Sequence, residues 1–377
     1  MTWPMVKIKN VASVITGKTP PKSSADNFDG DIPFITPAEL GSDIYVSNSP
    51  QTLSAKGANI VKTVPKDAVM VCCIGSLGKL GIAAREVRTN QQINSVIFNK
   101  NYVFPKYGYY ALAQLKPMLE SIAPATTVAI VNKSNFESLE IPLPPFEEQK
   151  RIAAILDKAD AIRQKRQQAI TLADDFLRSV FLDMFGDPVT NPKGWELSTI
   201  GKLGNVITGS TPSSKKTGMF DGDIPFVTPG DLETDAPVSR TLTDEGALNS
   251  RTCRKGTTLV CCIGTIGKIG IASRTSAFNQ QINAIEWGGE IDDEFGFFAM
   301  KLMKNKVISS AIKTTLPILN KSAFAALTMY LPPKNLQVEF SKIYSSTYRL
   351  NEKSKKFTIN SNILFDSLLQ KSFSGQL

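Results

Sequence analysis

The chain has 377 residues and no histidine. That removes the side chain most often used as a general base near neutral pH and most often used as a metal ligand. Cysteine is sparse: Cys72, Cys73, Cys253, Cys261 and Cys262, four of them as adjacent pairs inside apolar runs. Adjacent pairs do not have zinc-site spacing, so they read as reduced thiols buried in strands. No run of about 18 apolar residues occurs, and no membrane-spanning helix is expected. The start, Met1-Thr2-Trp3-Pro4-Met5-Val6-Lys7, lacks the charged-then-apolar order of a secretory signal. These absences lead to the expectation of a cytoplasmic protein without a membrane partner. What the chain has in excess is positive charge, 43 Lys and Arg against 34 Asp and Glu, a net +9. Such an excess suits a polyanion partner, and an ordinary basic protein would show it too.

Two motif matches fail on inspection. Ala12-Ser-Val-Ile-Thr-Gly17-Lys18-Thr19 fits a loose phosphate-loop pattern, but that loop has to run straight into a helix. Here Pro20-Pro21 follow, and the related stretch Gly209-Ser210-Thr211 has no lysine. Leu143-Pro-Pro-Phe146 resembles the Asn/Asp-Pro-Pro-aromatic tetrad of amino-methyltransferases. Its leucine cannot hold a target amino group, and no glycine-rich cofactor loop precedes it. No catalytic residue, metal or cofactor is expected in this chain.

The dominant feature is an internal repeat. Phe28-Asp-Gly-Asp-Ile-Pro-Phe-Ile-Thr-Pro37 returns as Phe220-Asp-Gly-Asp-Ile-Pro-Phe-Val-Thr-Pro229. Cys72-Cys-Ile-Gly-Ser-Leu-Gly-Lys-Leu-Gly-Ile-Ala83 returns as Cys261-Cys-Ile-Gly-Thr-Ile-Gly-Lys-Ile-Gly-Ile-Ala272, and Asn90-Gln-Gln-Ile-Asn94 as Asn279-Gln-Gln-Ile-Asn283. Leu143-Pro-Pro145 returns as Leu331-Pro-Pro333.

After each copy stands a long helical stretch. The first runs from Phe146 towards Gly186 and Pro188, a left-handed cap and a stop. Ile152, Ile155, Ala159, Ile162, Ala169, Ala173, Phe176 and Val180 recur at spacings of three and four, and predict a coiled-coil seam. Phe340, Ile343, Thr347, Leu350, Phe357, Leu364 and Leu368 give the second helix the same phase. The expected organisation is a module over 1–145, a helix over 146–186, a module over 187–333 and a helix over 334–377. Each helix supplies the partner the other lacks. A two-fold relation between the copies implies antiparallel helices with the modules at opposite ends.

Inside a module, Val69–Ile74 and Leu80–Ala83 read as a hairpin, Gln92–Phe98 as a strand and Tyr107–Ile122 as a helix strained by Pro117. The second copy matches that helix with Phe295–Ile312. Lys79 and Lys268 sit at the same Gly-x-x-Gly-Lys turn of both copies, as solvated lysines or as backbone-phosphate contacts. The amides of Asn90-Gln91-Gln92 and of Asn279-Gln280-Gln281 can pair with adenine or bond the DNA backbone, or can cap a turn. The stretches that differ between copies, 38–71 against 230–260 and 85–89 against 273–278, are where different base contacts would lie.

Two modules, two long helices at equivalent places, Asp31-Ile-Pro-Phe-Ile-Thr-Pro37, Ile141-Pro-Leu-Pro-Pro-Phe-Glu-Glu-Gln149, Met184-Phe-Gly-Asp-Pro188 and the ending Leu368-Leu-Gln-Lys-Ser-Phe-Ser-Gly-Gln-Leu377 resemble a type I restriction–modification specificity subunit. The resemblance implies an α+β fold. Two pseudo-symmetric recognition domains are separated by two long antiparallel coiled-coil helices. It implies that each domain reads half of a bipartite double-stranded DNA site. The helices set the spacer and dock two methyltransferase subunits. Those subunits hold S-adenosylmethionine, and restriction subunits join through them. A non-catalytic coiled-coil adaptor that does not read DNA is the alternative. The candidate DNA contacts are then Lys18, Thr19, Lys22, Thr36, Ser76, Lys79, Arg85, Arg88, Asn90, Gln91 and Gln92 in the first copy. In the second they are Ser210, Thr211, Lys215, Lys216, Thr228, Thr265, Lys268, Arg274, Asn279, Gln280 and Gln281. The candidate helix seam is Ile152, Ile155, Ile162, Phe176, Phe340, Ile343, Leu350, Phe357 and Leu364.

Overall fold

The apolar runs that carry the cysteine pairs become central strands, and their side chains show why the runs are continuous. Along Val69–Cys72 and into Cys73, residues 69, 71 and 73 enter one hydrophobic cluster while 70 and 72 enter another. Successive side chains of a strand point to opposite faces, so a strand buried on both sides is apolar at every position. Val260 and Cys262 against Leu259 and Cys261 repeat the arrangement. Burial pushes the Cys73 and Cys262 thiols up to about 12, and Cys253 up to about 11. Such thiols stay protonated and unreactive.

The computed structural model describes residues 3–123, 128–213, 215–234, 236–312 and 316–376. It divides into two compact units, Met1–Gln167 with Lys356–Leu377, and Gln168–Lys355. The division cuts both long helices, so each unit holds one module and a part of each helix.

In the first unit, among the described residues, the main sheet has five strands. Their order is Ala12–Thr16, Ile93–Phe98, Val69–Cys72, Leu80–Ala83 and Tyr45–Val46. All neighbours are antiparallel except the last pair, which is parallel. A smaller sheet places Phe28–Ile35 between Thr52–Leu53 and Arg88–Thr89. The module's two ends are fastened by Met5–Lys7 pairing with Glu140–Pro142. The hairpin and the strand before Phe98 form as the sequence predicts. The predicted helix 107–122 forms as two, Pro105–Ala113 and Lys116–Ile122, with Pro117 in the first turn of the latter. Proline there lacks an N–H that would be unpaired anyway, so the strain is relieved by a break. The counterpart also breaks, into Asp293–Leu302 and Lys304–Ser309.

The second unit repeats the plan with a four-stranded main sheet among the described residues: Gly204–Thr208, Ile282–Trp287, Thr258–Cys261 and Ile269–Ile271. Glu196–Thr199 pairs with Thr328–Leu331 at the module's ends.

The long helices are Phe146–Phe185 and Lys334–Ser374. Gly186, at φ +78°, donates its N–H to Leu182 O at 2.8 Å and ends the first. Each helix is tied to its own module by one buried glutamine. Gln149 Nε2 donates to Tyr102 O and Pro144 O at 2.8 and 2.9 Å, and its Oε1 accepts from Phe104 N. Gln337 does the same with Glu290 O, Pro332 O and Asp292 N.

Within each unit the two helix segments run antiparallel. In the first, Ile152, Ala153 and Leu156 share a cluster with Phe365 and Leu369, and Arg163 lies over the Phe365 ring. In the second, Leu177, Phe181 and Phe185 share a cluster with Phe340 and Tyr344.

The expected seam is therefore corrected. Ile152 and Phe340 are buried, and Ile155 and Ile343 half-buried. Ile162, Phe176, Leu350, Phe357 and Leu364 are 50–66% exposed. The heptad spacing is real, but it marks a flank one position away from the seam. The observed seam admits polar residues, with Asp160 and Asn351 buried and Asn351 bonded to Asp174 of the other helix, and so carries a weaker hydrophobic signal than the flank.

Candidate nucleic-acid interface

In each module four loops meet at one end of the main sheet. In the first, Gly17 N–H reaches Ile93 O at 3.0 Å, Lys18 N–H reaches Thr89 O at 2.9 Å, and Asn90 N–H reaches Ile35 O at 3.1 Å. Thr19 Oγ1 donates to Gln91 Oε1 at 2.5 Å, and Lys79 Nζ donates to Pro37 O at 3.4 Å. Glycine is needed at 17, because a Cβ there would sit 2.2 Å from Asn90 O. The second module repeats these contacts. Gly209 donates to Ile282 O, Ser210 to Phe278 O and Asn279 to Val227 O. Thr211 bonds Gln280 at 2.6 Å, and Lys268 bonds Pro229 O at 3.1 Å.

The hairpin turns carry Gly75 and Gly78 at φ +79° and +76°, and Gly264 and Gly267 at +78° and +88°. Left-handed backbone at both positions is what the Gly-x-x-Gly spacing provides. Ser76, Lys79 and Thr265 are exposed there, and Lys268 is half-buried. Each lysine gives one ammonium proton to a carbonyl and has two more donors.

The amide motif works largely inward. Asn90 Nδ2 donates to Gln92 Oε1 at 2.9 Å, Asn90 Oδ1 accepts from Gln92 N–H at 3.1 Å, and Gln92 Nε2 donates to Ile74 O at 3.2 Å. Asn279 and Gln281 repeat all three contacts with Ile263 O. These four amides brace the loop against the hairpin. Gln91 and Gln280 alone of each triplet are exposed. Thr36 and Thr228 are likewise engaged, bonded by Glu39 Oε2 and Asp231 Oδ2 through both N–H and hydroxyl. Burial would raise the Asp231 carboxyl, but its hydrogen bonds from Thr228 and Ser239 outweigh this and hold it below the usual range.

Arg88 is a correction. It is 8% exposed and donates to Ala58 O, Val87 O and Glu86 Oε1, so it holds the module together and presents nothing to a ligand. Lys18, Lys22, Arg85, Lys215, Lys216 and Arg274 are exposed. Arg85 is steered by Ser47 O and Asn48, and Lys216 pairs with Glu245. The last residue of the amide motif, left out of the candidate contacts, is a further brace: the buried Asn94 accepts from Thr16 Oγ1 at 2.7 Å, and its copy Asn283 from Thr208. Its signal was present: Thr-Gly precedes the loop in both copies.

The doubling is also seen in the comparison with known proteins. The family described as "Type I restriction modification DNA specificity domain" matches residues 1–172 and again 192–363. The chain belongs to that family. It is 24% identical to the type I restriction enzyme MjaIX specificity subunit of Methanocaldococcus jannaschii, over all of this chain and 93% of that one. It is 30% identical to the HindI specificity subunit of Haemophilus influenzae, over 44% of this chain and 38% of that one. The S subunit of the type I restriction–modification system from M. genitalium shares the fold. Its TM-score is 0.66 at 18% identity, across 99% of this chain and 96% of that one. Among the described residues no helix is long and apolar enough to cross a membrane.

Proposed function

We propose that this chain is the non-catalytic, DNA-reading subunit of a type I restriction–modification complex, with each module reading one half of a bipartite site. The observation that carries the reading is the doubled loop cluster. Both modules present a lysine, a Gly-x-x-Gly turn and one outward glutamine on an identically braced frame. Contacts common to both modules suit the DNA backbone, which is the same under every sequence. The unlike segments beside them suit bases.

The flanks of the helices support the docking of two methyltransferase subunits. In the first unit Ile162, Phe357 and Leu364 are 50%, 57% and 58% exposed. In the second, Phe176 and Leu350 are 51% and 66% exposed. Ile162 and Leu350 occupy equivalent places in the repeat, as do Phe176 and Leu364. Each unit thus offers one matched apolar face, suited to one helical partner. S-adenosylmethionine belongs to those partners, and restriction subunits join through them.

The test is affinity of the assembled complex for DNA against salt. Lys79→Ala and Lys268→Ala are each expected to weaken binding to all sequences alike and to lower the salt slope by about one. Unchanged affinity and slope in both would return these lysines to a purely structural role. Sustained methyl transfer by the isolated chain would overturn the non-catalytic reading.

A further inference from the structure

The two modules differ at one edge of the main sheet. In the first, Ile44-Tyr45-Val46 lies parallel to Leu80–Ala83, with Tyr45 opposite Ile82 and Val46 opposite Ala83. Ile82 N–H donates to Ile44 O at 2.6 Å, and Ala84 N–H to Val46 O at 3.0 Å. Val46 closes over Gly81, where a Cβ would meet its Cγ2 at 2.7 Å. Ile82 is 1% exposed as a result.

The corresponding connection of the second module, from Asp231 to Arg240, is three residues shorter than Glu39 to Gln51. Among the described residues no strand lies along the outer edge of Ile269–Ile271. Ile271 and Ser273 stand where Ile82 and Ala84 stand, and their N–H groups have no backbone acceptor among those residues. Ile271 and Gly270 are half-buried, where Ile82 and Gly81 are buried. Beside this edge lies an open cavity of about 770 Å³, whose lining includes Leu259, Ile271, Phe297 and Phe298 and charges of both signs, Asp174 and Asp175 with Arg178 and Lys301.

A bare edge with outward N–H groups is a template for a further strand. Glu233 Oε1 accepts from Ile269 N–H at 3.3 Å and closes one end, leaving Ile271 and Ser273 as the pairing groups. The free groups are backbone N–H donors at alternate residues of a strand, which the carbonyls of an extended polypeptide match. We propose that the second module binds an extended segment of a partner protein here, parallel to Ile269–Ile271, by strand addition. The first module shows the chemistry of the occupant. It is a β-branched, aromatic, β-branched triplet whose carbonyls accept from Ile271 and Ser273, with its last side chain seated over Gly270. This inference is independent of the DNA-reading proposal.

The probe is a synthetic peptide with the sequence of residues 41–49, Gly-Ser-Asp-Ile-Tyr-Val-Ser-Asn-Ser. It is titrated into the full-length chain, with hydrogen exchange read at individual amides and a scrambled peptide as control. Saturable binding is expected, with slowed exchange at Ile271 and Ser273. Ile271→Pro deletes one outward N–H at an edge strand, where proline is tolerated, and should weaken binding about two- to tenfold. Gly270→Val fills the seat; a Cβ there comes within 2.8 Å of Leu232 Cδ2, the end of a side chain that can turn aside, so an unchanged thermal melt with loss of binding is expected. Absence of protection at both amides at saturating peptide, or unchanged affinity in both variants, would overturn the proposal.

Discussion

Phe176 and Phe181 lie on the same helix, five residues apart, and a truncation of each separates the observed seam from the one that the heptad pattern suggests. Phe181 is fully buried, with ring centroids 4.9, 5.5, 5.2 and 5.1 Å from Phe185, Phe295, Phe298 and Phe340. It joins the helix, the module and the second helix into one core. Phe181→Ala removes a fully enclosed ring and leaves a cavity whose aromatic walls collapse poorly, which costs about 3–5 kcal/mol. For a unit of this size each kcal/mol moves the midpoint by about 2–4 °C, so thermal unfolding should shift down by roughly 6–20 °C. Phe176 is 51% exposed, and Phe176→Ala should cost less than about 1 kcal/mol, a shift under roughly 4 °C. The assay is thermal unfolding of the two variants of the isolated full-length chain, followed by circular dichroism. Equal losses, or a larger loss at Phe176, would refute the rotated seam. The same pair should reverse in assembly: Phe176→Asp is expected to impair capture of the methyltransferase subunits while the chain keeps its melting temperature.

Asn90→Ala should destabilise the first unit by about 1–3 kcal/mol, because it strips Gln92 of two hydrogen bonds, whereas Gln91→Ala should leave the melt unchanged; paired thermal melts decide. Glu294 is raised above the usual carboxyl range by burial, by the hydrogen bond its protonated carboxyl donates to Asp292 and by the charges of Asp292 and Asp293. A raised carboxyl favours the folded state only while protonated, so its ionisation burdens the fold as pH rises through the folded pKa. Glu294→Gln should therefore raise the melting temperature at pH 7.5, and the gain should vanish below about pH 4; a gain that persists in acid would contradict this. Inserting four residues within Ala161–Ala169 lengthens the first helix by about 6 Å. If the helices set the spacer, the preferred gap between half-sites should grow by about one or two base pairs, at roughly 3.4 Å each, and an unchanged gap with activity intact would show that they do not.

The module–helix repeat was legible because the same residues recur in the same order, and duplicate copies make each weak signal count twice. The alternate burial of Val69, Met70, Val71 and Cys72 was not, because a strand covered on both faces has no polar alternation to read. The seam was misplaced because hydrophobic periodicity reports any apolar stripe, including an exposed one. Phe176 and Leu364 look like core residues for that reason, while the true seam carries Asp160 and Asn351. At the site, Lys79 and Lys268 were readable as turn lysines, and each amide triplet as holding some outward group. Arg88, Asn90 and Gln92 were not separable from them, since a residue's type does not say whether its hydrogen bonds turn inward. The open edge of the second module was visible only as a three-residue difference in length. Its meaning needed the strand Tyr45–Val46 for comparison.

The most direct measurement is the methylated site itself. Residues 195–333 of the chain are replaced by residues 3–145, so that both positions carry the first module. The modified sequences are then mapped across a genome with the complete system. The account predicts that one half of the site changes, to the other half's sequence read in the opposite direction, while the retained half and the spacer stay as they were. An assembled, active complex whose site is unchanged, or whose two halves both change, would contradict it.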